Sequence, residues 1–164
     1  MKRKFHFVIF TFCLVFINAQ KIKDKKQLDY ANTILNNYIK KQLKNEKPKP
    51  SEFKSARKLY RYDIDDDGDK DIIAFYTLEG FGGGNNWQHY IAIFVLSKSE
   101  VKAVDDLVLF GDAWKKYNDG ELIEFKNGYV YYKLYGSEID TDERIIKTVG
   151  ITMNRNKIVT TKPL

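Results

Sequence analysis

The chain has 164 residues, 28 Lys and Arg against 22 Asp and Glu, a net charge of +6 and a single cysteine. One cysteine excludes an internal disulfide framework, and two histidines exclude a histidine-rich zinc site. The length and 43% hydrophobic content fit one domain with its own core.

Lys2, Arg3 and Lys4 form a basic start, Phe5 to Ile17 is almost wholly apolar, and Ile17-Asn18-Ala19 ends on a small residue before Gln20. The pattern predicts a secretory signal peptide over residues 1–19. A membrane anchor is disfavoured because the apolar stretch runs about 13 residues where a span needs about 20. Phe10-Thr11-Phe12 ahead of Cys13 lacks the small residues of a lipoprotein cleavage site, so no lipid anchor is expected. Cleavage near Ala19 would remove the only cysteine and three cations, leaving residues 20–164 as one secreted or periplasmic domain. Export argues against nucleic acid as a ligand. The dispersed lysines suit an envelope polysaccharide or a protein partner, or only a solvated surface, and a monomer is expected.

Leu28, Ala31, Leu35, Tyr38 and Ile39 recur at helical spacing between Lys25 and Leu43, with Lys and Asn on the other face. This predicts an amphipathic helix, broken by Glu46-Lys47-Pro48-Lys49-Pro50. Beyond Ala56 the chain reads as strands over 57–63, 71–79, 89–97, 103–110, 121–126, 129–136, 145–153 and 157–161. Asn127-Gly128 marks a two-residue hairpin, and Asn154-Arg155-Asn156 a turn before the last strand. The expected fold class is α+β, with the N-terminal helix packed on one face of a curved, mainly antiparallel sheet of about seven or eight strands.

The densest chemistry lies in Asp63-Ile64-Asp65-Asp66-Asp67-Gly68-Asp69-Lys70-Asp71, six carboxylates in nine residues. Ca²⁺ takes six to eight oxygens, and Asp63, Asp65, Asp67 and Asp71 fall at loop positions 1, 3, 5 and 9, with the Asp69 carbonyl at 7 and Gly68 at the sharp turn. An EF-hand would require flanking helices and a Glu at position 12. Position 12 is Ala74, and both flanks read as strands, so the loop should join an antiparallel pair. The competing reading is an acidic turn that holds no ion. The spacing resembles the Asp-x-Asp-x-Asp-Gly-x-x-Asp loops of integrin-type FG-GAP and VCBS repeats, but it occurs once, which excludes a propeller.

A second unusual segment follows, Tyr76-Thr77-Leu78-Glu79-Gly80-Phe81-Gly82-Gly83-Gly84-Asn85-Asn86-Trp87. Together with the acidic loop, over Tyr62 to about Leu96, it resembles a group of small secreted bacterial proteins of unknown function. Members of that group often carry a Cys-Cys-Pro-Ser segment near the position of Gly136 to Asp142, which this chain lacks. The glycines lack the helix and Lys of a phosphate loop, so nucleotide binding is rejected. The expectation is a hairpin tip, Gly82, Gly83, Gly84, Asn85, Asn86 and Trp87, that exposes Trp87 and His89 for contact. The alternative is that Trp87 folds back onto the sheet. Phe81, Trp114 and Tyr129, Tyr131, Tyr132 and Tyr135 are candidates for an aromatic groove that takes sugar or peptide.

Catalytic groups are sparse. His89 reads as a strand-edge surface residue, no serine lies in a Gly-x-Ser-x-Gly elbow, and Glu79, Glu121, Glu124, Asp140 and Asp142 are the carboxylates from which a glycosidase pair would be drawn. The favoured function is a secreted, non-enzymatic calcium-binding protein. In it a structural Ca²⁺ locks the hairpin and fixes the adjoining Gly-rich loop for binding. A periplasmic inhibitor or immunity protein and an envelope hydrolase are the alternatives.

Overall fold

The computed structural model describes residues 19–112, 116–137 and 144–161. The predicted signal peptide before Ala19, together with Trp114, Asp140 and Asp142, lies outside the described residues.

Helix α1 (Lys25–Gln42) begins where Asp24 Oδ1 accepts the Gln27 N–H at 2.9 Å, satisfying one of the donors a helix start leaves free. It continues into a 3-10 turn, Leu43–Asn45, and the prolines beyond prevent further helix. Ala31, Leu35 and Ile39 are buried at four-residue spacing, as the sequence predicts.

The strands form two antiparallel sheets. The first contains β1 (Gln20–Lys21), β2 (Ser51–Glu52), β3 (Lys58–Tyr62), β4 (Asp71–Phe81), β5 (Asn86–Ser97) and β6 (Glu100–Gly111). Its order is β1-β3-β4-β5-β6, with β2 paired to the far end of β4. The second is a meander of β7 (Tyr117–Lys126), β8 (Tyr129–Ser137), β9 (Arg144–Asn154) and β10 (Lys157–Thr161). The fold class is α+β. The expectation of one curved sheet is corrected to two sheets, and the described residues hold ten strands, including the two-residue β1 and β2.

The reason lies in β4 and β5, which have no polar face. Ile72, Ala74, Tyr76 and Leu78 pack with Ala92, Phe94 and Leu96 against α1. The intervening Ile73, Phe75, Ile91 and Ile93 pack against Val130, Tyr132, Leu134, Val149 and Ile151 of the second sheet. A strand whose middle is apolar or aromatic at every position, as β4 is over 72–76 and β5 over 90–96, is buried on both faces, so the layers run helix, six-stranded sheet, four-stranded sheet. Polar contacts pin the sandwich along its sides. Asp105 Oδ2 accepts the Ile158 N–H at 2.8 Å, joining β6 to β10, and the Gly128 N–H donates to Tyr62 Oη at 2.9 Å, joining the β7–β8 turn to β3.

Candidate functional site

Tyr62 pairs with Asp71 across the base of the acidic loop, so the loop does connect two antiparallel strands. Its shape is set by its own carboxylates. Asp63 Oδ1 and Oδ2 accept the N–H groups of Asp67 (3.1 Å) and Gly68 (2.9 Å), and Asp67 Oδ1 accepts that of Asp69 (2.8 Å). Gly68 turns the chain at φ 91°, a conformation that a side chain disfavours even though a Cβ there would meet open space.

Asp71 opens β4 and is fully buried. Its two oxygens accept N–H groups from Ile64 and Leu96, each at 2.8 Å, so one carboxylate ties the loop to β5. Asp69 Oδ2 makes a second tie, to the Lys98 N–H in the β5–β6 turn at 2.8 Å. Burial pushes the Asp71 carboxyl up to about 7, against the two N–H donors that favour its charge, and Asp65 and Asp63 add repulsion. Asp65 is also raised, by desolvation first and the Asp67 carboxylate next.

Of the five predicted metal residues, the fold brings three together. One oxygen from each of Asp63, Asp65 and Asp71 lies within 4.8 Å of the others, while Asp67 and Asp69 are turned to the backbone contacts above. Calcium–oxygen bonds of about 2.3–2.6 Å place opposite ligands up to about 5 Å apart, so the three carboxylates fit around one ion. The cluster can hold a metal. Its neighbours are basic: Arg61 donates through Nη2 to the Lys70 carbonyl, and Lys21, Lys23, Arg61 and Lys70 line a recess of about 780 Å³ beside the start of α1.

The Gly-rich segment lies elsewhere. β4 is eleven residues long, and at about 3.3 Å per residue its ends are roughly 30 Å apart. The acidic loop is at one end and the glycines at the other, so the expected adjacency of the two segments through one short strand is corrected to a separation by the full length of β4. Gly82, Gly83, Gly84, Asn85 and Asn86 form the exposed tip of the β4–β5 hairpin. Trp87 turns inward, half-buried, with its ring edge-on to Phe110 at 5.8 Å.

His89 is likewise not a surface residue. It lies on β5 between β4 and β6 and is nine-tenths buried. Its ring stacks on Phe110 at 4.6 Å and lies parallel to Phe75 at 6.3 Å, and Nδ1 pairs with Thr77 Oγ1 at 2.8 Å. Burial, with Lys58 nearby, lowers its pKa to about 4, so the ring is neutral at pH 7. The alternation Trp87, His89, Ile91, Ile93 along β5 is the signal that places it on the core face.

These residues border a cleft of about 430 Å³ at the open end of the sandwich, where Trp87, Phe110 and Tyr132 make the walls and Phe53 the rim. Lys58 and Glu79 also face it, and neither side chain has an ion-pair or hydrogen-bond partner among the described residues. Gly120 leaves room here for rings from both sheets. A Cβ would sit 2.6 Å from Tyr132 Cε1 and 2.9 Å from the Lys133 carbonyl of the neighbouring β8, and 3.1 Å from Phe110 Cε1 of the facing β6. The predicted aromatic groove does not form as expected: Phe81 packs on the helix-side core, and Tyr129, Tyr131 and Tyr135 alternate with the inward-facing Val130, Tyr132 and Leu134. Glu79 is the one described carboxylate of the predicted hydrolytic set in the cleft, since Glu121 accepts from the Tyr135 hydroxyl instead.

No described helix is long and apolar enough to cross a membrane. Searches for a matching protein-family model, a similar curated protein or a similar solved structure found none.

Proposed function

We propose that the chain is a secreted calcium-binding protein in which the ion is structural and the molecular contact is made at the far end of β4. The observation that carries this reading is the convergence of Asp63, Asp65 and Asp71, two of them buried, on a space the size of one ion. A buried carboxylate beside two others is costly without a cation. Calcium is favoured because every donor is a hard oxygen and the loop is compact and acidic. Asp67 Oδ2, the oxygen not engaged by the Asp69 N–H, and the Asp69 carbonyl complete the proposed ligand set.

Export, with cleavage near Ala19, places the protein where calcium is millimolar. Even a site with Kd of about 10⁻⁴ M would then be filled, stabilising the fold by about 1.4 kcal/mol at tenfold excess. The partner, an envelope polysaccharide or a protein, meets the Gly82 to Asn86 tip and the cleft behind Trp87. Covalent chemistry is not part of this reading.

The test is thermal unfolding in EDTA, then in millimolar CaCl₂ or MgCl₂, for the parent and an Asp65→Ala, Asp67→Ala double variant. A rise selective for calcium in the parent and absent from the variant is expected. Equal melting temperatures in EDTA and calcium would leave the acidic loop an ordinary turn.

A further inference from the structure

We infer that the cleft between the sheets is a binding site for an uncharged saccharide, with Trp87 as the stacking platform and Lys58, Glu79 and His89 Nε2 as partners for its hydroxyls. This rests on the binding half of the proposed function and is independent of calcium.

The cleft has the form of a small-molecule site: about 430 Å³, mostly apolar walls, and a few convergent polar groups. Three observations narrow the ligand. First, the walls are rings, with Trp87 edge-on to Phe110 and Phe110 near-parallel to Tyr132 at 6.3 Å, so a flat, apolar face is matched. Second, the cleft holds a cation and an anion, Lys58 and Glu79, at separate places, each without a side-chain partner among the described residues. Lys58 pairs in register with Phe75, whereas Glu79 lies four residues further along β4. A ligand of either net charge would be attracted by one and repelled by the other. A neutral polyol accepts from the ammonium and donates to the carboxylate, gaining charge-assisted hydrogen bonds at both.

Third, His89 spends Nδ1 on Thr77 and has no protein partner at Nε2 among the described residues, although the residue is nine-tenths buried and borders the cleft. Its neutral ring adds a hydrogen-bonding atom without adding charge, and stacking between Phe75 and Phe110 fixes its direction. Flat apolar faces edged with hydroxyls describe a pyranose. An aromatic carboxylate or a quaternary ammonium would satisfy only one of the two charges.

The test is a glycan array probed with the purified full-length protein in calcium, followed by NMR titration of the strongest uncharged hit against the Trp87 indole and His89 ring signals. Saturable shifts at both rings are expected. The dissociation constant should rise at least tenfold in Trp87→Ala and severalfold in Glu79→Gln, the latter an exposed change that leaves folding intact. The inference is overturned if no uncharged saccharide gives saturable shifts, if only acidic glycans bind, if benzoate or tetramethylammonium moves the two rings while sugars do not, or if Trp87→Ala binds as the parent does. A calcium-dependent melting rise without saccharide binding would remove this inference and leave the metal reading standing; the reverse pattern would do the opposite.

Discussion

At the scale of single residues, two buried titratable groups carry opposite acid–base signatures. Asp71 is raised to about 7 in the fold, chiefly by burial, so its proton is held more tightly folded than unfolded. Its contribution is fully present below the ordinary carboxylate range and is lost as pH rises through about 7. His89 is lowered to about 4 by burial and then by Lys58, so its contribution is present above pH 6.5 and is lost as pH falls through 4. Between about pH 4 and 6.5 the two slopes oppose each other in the metal-free protein. Removing His89 by His89→Gln should therefore uncover a stability that declines steadily from pH 4.5 to 7 in EDTA, measured by urea unfolding; a stability that rises over that range would sink the assignment. Asp71→Asn should cost about 1–3 kcal/mol, because an amide oxygen cannot replace both carboxylate acceptors and one buried N–H, of Ile64 or Leu96, loses its partner. The same variant should lose most of any calcium-induced rise in melting temperature.

At the scale of elements, the eight longer strands and the helix were legible because each carries a local signal: four-residue spacing in α1, β-branched and aromatic runs in β3 to β10, and Asn127-Gly128 at a two-residue turn with φ of 52° and 73°. The turn at Lys98-Ser99 was not legible. It has the same pair of positive φ angles, 50° and 68°, imposed on residues with little preference for them by the pairing of Ser97 with Glu100. The second sheet was missed for a related reason, since alternation within one strand shows a buried face but not what covers it. Three of the five predicted metal residues, Asp63, Asp65 and Asp71, come together as their spacing predicts, whereas the engagement of Asp67 and Asp69 with backbone donors depends on the fold. The short β2 and the segment after it were invisible in sequence because Arg57 holds them. Its guanidinium pairs with Glu52 and donates to Asn32 Oδ1 at 2.6 Å and Asn36 Oδ1 at 2.7 Å, clamping α1, β2 and the Phe53 rim of the cleft together. Both members of the ion pair are about nine-tenths buried. Arg57→Met should leave Glu52 without its partner and cost roughly 3 kcal/mol in urea unfolding; a loss under about 0.5 kcal/mol would show the clamp to be incidental.

At the scale of the whole molecule, β4 joins two places that do separate things. The carboxylate cluster sits where β3, β4, β5 and the β5–β6 turn meet, and every hydrogen bond it makes stays at that end. The cleft sits at the opposite end, built on Thr77, Trp87, His89, Phe110 and Tyr132. Between them lies a core of Ile73, Ile91 and Ile93, each with no exposed surface. A close-packed, rigid interior has one arrangement, and an ion that binds only that arrangement stabilises the whole fold without selecting between shapes of a distant loop. Calcium should therefore slow amide exchange at Ile64, Leu96 and Lys98, whose N–H groups donate to the loop carboxylates, and leave the exposed amides of Gly82 to Asn86 unchanged, since tip amides exchange by local opening. Hydrogen exchange followed by NMR at pH 7, with and without calcium, resolves the two sets. Protection that rises at Gly82 to Asn86 together with Ile64 would mean that the two ends of β4 are coupled, and the ion would then regulate the cleft as well as support the fold.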